Sequence, residues 1–249
     1  MANLRQRIGE TRVLNQGMKA TIIEYRNSND IDIRFEDGYI KTTRYCHFKS
    51  GSVTNPYIPT VYGVGYIGEE NTVDEHGKHT KAYKVWHSMM TRCYDTKYQE
   101  YQPTYKGCTV CEEWHFYGNF KKWFNTNYYE VGNEAIHLDK DILVKGNKVY
   151  SPNTCIFVPQ SINCLFSEHD TEISRGVTFR KDTKKYTAHI SIENTRTTLG
   201  CYNTKEEAEL SFIKARKEYV EKTLKKYENK IPLEIYDKLK KGCCNEFEN

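Results

Sequence analysis

Side chains able to do chemistry gather in three places along this chain. In Ala135-Ile-His-Leu-Asp-Lys-Asp-Ile142 a histidine precedes a carboxylate by two residues, and on a strand that spacing puts both on one face. That face offers an imidazole and a carboxylate side by side, and Asp141 adds a further carboxylate. Cys108-Thr-Val-Cys111 is a CxxC, and Cys93 and Cys155 would complete a four-thiolate set for structural Zn²⁺. Only one CxxC is present, so buried thiols are the competing reading, and no βαβ pattern surrounds it to support a redox role. The third place is the basic C-terminal third. Residues 171–241 carry 17 Lys+Arg against 11 Asp+Glu, whereas residues 1–170 balance at 20 each. Such a stretch suits a polyanion partner. Lys214, Arg216, Lys217, Lys222, Lys225 and Lys226 would touch phosphates rather than read bases. The competing reading is a solvated helix face with i,i+4 partners in Glu218 and Glu221.

These groups need a scaffold. The chain has 249 residues, of which 38% are hydrophobic. That is low for one large core and points to several small α+β modules. No apolar run is long enough to span a bilayer, and Met1 to Glu10 lacks an apolar signal core, so a cytoplasmic protein without a membrane role is expected. Nine cysteines without such a signal read as thiols or ligands rather than as a disulfide framework.

Residues 1–68 read as a strand meander closing into a small β-barrel. Lys19 to Arg26 is β-branched, Asp30 to Phe35 alternates, and a third strand runs from Tyr39 to Phe48. The strand spacing resembles Tudor-like barrels; an accessory module without chemistry is expected, with a docking role, for which a host protein is a candidate partner, and a nucleic-acid role both open. Residues 69–81 read as a linker with solvated His76 and His79. In residues 82–168, Ala82 to Tyr94 is a helix with Tyr83, Trp86, Met90 and Cys93 on one stripe. Cys111 to Phe124 is a second helix. Then come a strand at 135–142, a Gly146-Asn147 turn, a return through Val149-Tyr150 and Cys155 to Val158, and a short helix opened by Pro159. Residues 171–231 give three short strands, a capping box at Thr204-Lys-Glu-Glu207, and a helix with Ala208, Phe212, Ala215 and Tyr219 on one face. Residues 232–249 read as a tail, with Cys243-Cys244 disordered.

The run Arg175-Gly-Val, Tyr186-Thr-Ala-His-Ile and Leu199-Gly-Cys-Tyr-Asn-Thr-Lys-Glu-Glu-Ala208 resembles the plant ethylene-response-factor (APETALA-type) DNA-binding domain. The resemblance implies a sheet laid in the major groove of double-stranded DNA, with Arg175, Arg180, Tyr186, His189 and Arg196 at contacting positions. Thr198 stands where that family usually has a second aromatic. The middle segment resembles the HNH nucleases of phages and mobile elements through Trp86, Arg92-Cys-Tyr94, Gly107-Cys-Thr-Val-Cys-Glu-Glu-Trp114, Leu138-Asp-Lys140, Tyr150-Ser-Pro-Asn-Thr-Cys155 and Pro159 to Asn163. It implies a ββα-metal site holding Mg²⁺ or Mn²⁺ through Asp139 and Asn163, with Asn153 bracing the loop. Lys140 occupies the position of that family's general-base histidine. His137 is the substitute, and His115 a weaker one.

The expectation is therefore an α+β protein of three modules: a β-barrel, an HNH-like ββα module, and a three-stranded sheet on one helix. It would bind DNA and hydrolyse a phosphodiester with a divalent metal, as a homing endonuclease does. A catalytically dead DNA-binding regulator and a phage-encoded inhibitor of a host defence protein are the alternatives.

Overall fold

The computed structural model describes residues 7–166, 176–192 and 195–246. It divides into two compact units, Met1–Thr72 and Val73–Asn249. Arg175 lies outside the described residues.

In the first unit, β1 (Thr11–Val13), β2 (Lys19–Asn27), β3 (Asp30–Phe35) and β4 (Ile40–Thr43) form an antiparallel meander in that order. Alternation buries Ala20 and Ile22 on β2 and Ile31, Ile33 and Phe35 on β3. The expected barrel does not form: the sheet stays open, with β1 and β4 as its edges. Both edge strands are short, and the apolar face is closed by a helix instead. The third strand expected through Phe48 ends at Thr43. Tyr45–Ser50 turns into helix α1, which buries Phe48 against Ile22, Ile31 and Ile33. Gly51 makes that exit possible. Its φ is +74°, and a Cβ there would stand 2.6 Å from the Asn15 side-chain oxygen.

The second unit begins with α2 (Lys81–Tyr94), capped by the Thr80 hydroxyl, which accepts from the Tyr83 N–H. It buries Ala82, Trp86, Met89, Met90 and Cys93. Asp95 ends α2 and caps α3 (Thr96–Tyr101). The second expected helix is split into a 3₁₀ turn at Glu112–His115 and α4 (Tyr117–Asn127). The break lets Trp114 bury completely while its carbonyl accepts from Trp86 Nε1 at 2.7 Å. The ribbon is β6 (Ile136–Asp139) paired antiparallel with β8 (Ile156–Pro159), and α5 (Gln160–Leu165) follows at once. Val149–Tyr150, read as part of the return, is β7. It pairs parallel with β5 (Thr109–Val110) instead.

At the C-terminal end, β9 (Val177–Arg180), β10 (Lys185–Ile192) and β11 (Thr195–Tyr202) form a sheet in the order β11-β10-β9. Helix α6 (Lys205–Lys225) carries the capping box. Its buried stripe is Ala208, Phe212, Arg216, Val220, Thr223 and Leu224. Ala215 and Tyr219, expected on that stripe, sit at its margin and are partly buried. Residues 233–246, expected as part of a tail, form helix α7 (Leu233–Glu246). Its Leu239 is fully buried among Ile156, Val158, Ile162, Leu165, Val220 and Leu224. An apolar residue at every third or fourth position, Ile235, Tyr236 and Leu239, supplies the face that docks there. The segments at 82–168 and 171–231 thus share one unit.

Candidate functional site

Asp139 is where the ribbon turns away. Its Oδ1 accepts from the backbone N–H groups of Asp141 (2.9 Å) and Ile142 (2.7 Å), which bends the chain off the strand. Its Oδ2 makes no hydrogen bond among the described residues. Burial raises its pKa, with the Ile142 N–H opposing and the Asp141 charge adding to the shift. Strand alternation puts His137 on the same face as Asp139, and their cross-strand neighbours are Val158 and Ile156. Those two side chains pack against Ile162 and Leu165, so this is the ribbon face that α5 covers. The opposite face carries Leu138 and Phe157, which rest on an aromatic cluster of Trp123, Phe124 and Tyr128. Asn163 lies on α5, and its side-chain Oδ1 is buried with no hydrogen-bond partner among the described residues. An orphaned buried oxygen is expensive to keep.

His137 is half-buried. Burial, followed by the nearby Arg92 charge, lowers its pKa, and Glu134 opposes the shift. The imidazole is thus neutral at neutral pH, as a proton acceptor must be. Arg92 spreads its guanidinium over the Tyr105 ring, 5.5 Å from the centroid, and its Nε is buried without a partner among the described residues. Glu134 is held by three donors: the Ser161 N–H (3.0 Å) and Oγ (2.6 Å) on Oε1, and the Tyr227 hydroxyl (2.7 Å) on Oε2. Burial works against its charge, but these donors keep its pKa below the ordinary value.

Lys140 is 6% exposed, and its Nζ donates to Asp141 Oδ2 at 2.8 Å. Burial would lower its pKa, yet the Asp141 pairing outweighs it and the net shift is upward. Lys140 is therefore a fixed ammonium and has no lone pair with which to act as a base. Asn153, expected to brace the loop, is exposed and makes no side-chain hydrogen bond among the described residues. Asn147 braces it instead. Its Nδ2 donates to the carbonyls of Lys140 (2.8 Å) and Val149 (2.7 Å), and its Oδ1 accepts from the Val149 N–H. The Gly146-Asn147 pair was visible as a turn, and a turn asparagine commonly bonds backbone in this way. His115 is placed against Tyr94 and the Val110 carbonyl, away from the ribbon pair.

Cys93, Cys108 and Cys155 are buried and Cys111 is half-buried, all as free thiols. Burial pushes Cys93 up to about 12, with Cys108 its nearest like neighbour. It pushes Cys155 to about 12 as well, with Asp139 and Cys111 nearby. Among the described residues no three His, Cys, Asp or Glu side chains form a metal-holding group. A set made of Asp139, Asn163 and His137 is not of that kind, because one donor is an amide. Asp139 offers a carboxylate oxygen not used by backbone and Asn163 an amide oxygen without a partner among the described residues, donor types that suit a hard divalent ion.

On the C-terminal sheet, register and alternation sort the candidate DNA contacts. Arg180 and Lys185 are cross-strand partners, and His189 and Arg196 lie on their side of the sheet. Arg196 Nη2 bonds His189 Nε2 at 2.5 Å, and exposed Arg180 pairs with Asp182 at 2.7 Å. Tyr186 belongs to the other face, with Ala188 and Ile190, which α6 covers. There it lies against its cross-strand partner Phe179, with centroids 5.0 Å apart and the rings tilted by 54°. His79, read as a solvated linker residue, is exposed and borders a cleft of about 400 Å³ along α2 with Lys84, His87 and Ser88. Compared with known proteins, the chain matches no family model, no curated protein and no solved structure. No helix among the described residues is long and apolar enough to cross a membrane.

Proposed function

We propose that this chain binds double-stranded DNA and hydrolyses a phosphodiester bond at an HNH-like ββα site built on β6, β8 and α5. The observation that carries this reading is the orphaned Asn163 Oδ1, buried on the helix that covers the His137–Asp139 face. Asp139 Oδ2 and Asn163 Oδ1 would hold Mg²⁺ or Mn²⁺, which when bound supplies charge stabilisation for the leaving oxygen. The chain's own groups do the rest. His137, neutral through burial and the Arg92 charge, accepts the proton of the attacking water. Asn147 holds the loop between the strands, and Glu134 fixes the start of α5 through Ser161. Arg180, Lys185 and Arg196 provide the cationic face for the duplex. A structural Zn²⁺ on Cys93, Cys108, Cys111 and Cys155 gains less support, since no three of the described His, Cys, Asp or Glu side chains form a metal-holding group.

The test is plasmid nicking with Mg²⁺ and Mn²⁺ by wild type, Asp139→Ala and His137→Ala. Metal-dependent nicking lost in both variants supports the reading, and its absence with every metal sinks it. One observation favours a catalytically silent DNA-binding regulator: Lys140 is locked to Asp141 where the family's base stands. Tight duplex binding without nicking would select that alternative. Loss of both would leave a docking role, such as inhibition of a host defence protein.

A further inference from the structure

Helix α6 is a 21-residue rod with no glycine or proline in it, and its one buried stripe touches two partners in turn. The first stretch, Ala208 to Phe212, lies under the sheet. The Tyr202 hydroxyl on β11 donates to Ser211 Oγ at 2.6 Å. Gly176 gives Phe212 its place, because a Cβ there would fall 2.2 Å from the ring. The second stretch, Arg216 to Tyr227, lies on the ribbon. Arg216, 4% exposed, donates from Nη2 to the Leu165 carbonyl at the end of α5. Val220 and Leu224 pack with Ile156, Val158, Ile162 and Leu165, and Tyr227 closes on Glu134 and Ser161. A buried guanidinium is strongly disfavoured unless it does structural work, and here it caps the carbonyl end of the very helix that carries Asn163.

We propose that α6 is a measuring rod, which sets a constant spacing between the cationic face of β9–β11 and the ββα site. The substrate is then one continuous duplex, contacted at two points a fixed number of base pairs apart, with Arg216 and Tyr227 as positioning residues. The base-pair spacing rests on the DNA-binding reading above. The centres of the two stretches are about 12 residues apart, or about 18 Å at 1.5 Å per residue. That corresponds to about five base pairs at a rise of roughly 3.4 Å. A flexible tether between the two surfaces would instead let the second contact wander along the duplex.

Cys164 on α5 and Cys201 on β11 are both exposed, and each stands on an element that packs against a different stretch of the rod. In the full chain carrying Cys46→Ser, Cys243→Ser and Cys244→Ser, nitroxide labels on these two cysteines should give a single narrow dipolar distance distribution. Adding Arg216→Met and Tyr227→Phe, which release the ribbon end, should roughly double its width. A broad or multi-peaked distribution before those changes overturns the rod. With Cys201→Ser added, an iron chelate on Cys164 should cut a selected duplex at one place about five base pairs from the footprint centre, and scattered cuts overturn the spacing. The chelate brings its own cutting chemistry. A sharp chelate cut without metal-dependent nicking therefore rejects the nuclease reading alone, and sharp nicking beside a broad distance distribution rejects the rod alone.

Discussion

Replacing Asn163 with leucine keeps the side chain's branched shape and removes its buried, unpaired oxygen. If that oxygen awaits a cation, the unliganded protein carries its desolvation penalty for no structural return. An unsatisfied buried acceptor costs about 1–3 kcal/mol, and its replacement by an apolar group of the same shape can be stabilising. Ile162, next to it on α5, is fully buried in an apolar cluster, so a leucine has an apolar neighbour on the same helix. Asn163→Leu should therefore stabilise the second unit by about 1–3 kcal/mol in EDTA, a rise of roughly 2–12 °C in its Tm for a unit of this size. Calorimetry in EDTA and again in Mg²⁺ makes the comparison complete. Wild type should gain Tm with Mg²⁺ by mass action, and the variant should not. A variant that melts lower than wild type in EDTA would show that Asn163 is a structural amide, and the metal argument would fall with it.

Asn147→Ala removes three backbone bonds from the loop between β6 and β7, and should lower stability by about 1–3 kcal/mol in urea titration while leaving α6 packing unchanged. Native thiol labelling should divide the cysteines: Cys46, Cys164 and Cys201 react at once, whereas Cys93 and Cys155 react only on unfolding. At a pKa of about 12, their thiolate fraction at pH 7 is on the order of 10⁻⁵, against about 0.03 for an ordinary thiol. In the first unit, Arg26 and then Thr42 hold Asp32 well below the usual carboxylate range. A depressed carboxylate stabilises above its unfolded pKa of about 3.9 and loses that contribution as pH falls through the folded value. Wild type should therefore unfold more easily than at pH 7 once the pH drops below about 4, and the gap to Asp32→Asn should close there. A constant gap across the acid range would refute the pairing.

Local order was legible where local chemistry decides it. The Thr204–Glu207 capping box is present as read, because both partners sit within one turn. β2 and β3 follow their β-branched, alternating sequences, and α2 buries Trp86, Met90 and Cys93 as its spacing requires. The His137–Asp139 face was likewise readable, because strand alternation needs no tertiary information. The failures have a common cause. Asn153 and Asn147 are both plausible loop asparagines in sequence. Only the path of the chain puts Asn147 within reach of the Lys140 and Val149 carbonyls. Tyr186 looked like a contact on the reading face, but the register assigns it to the side that α6 covers. The barrel failed because α1 closes the first unit's apolar face, so β1 and β4 have no need to meet.

The sequence by itself determined the elements, their amphipathic faces and the types of donor available, since these follow from propensities and periodicities spanning a few residues. Tertiary structure decided which of those donors are satisfied. It paired Lys140 with Asp141 and left the Asn163 oxygen unpaired. It also buried Arg216 at the joint between ribbon and sheet. Satisfaction and burial depend on neighbours far away in the chain, here 51 residues apart for Arg216 and Leu165, and no local pattern encodes such a neighbour.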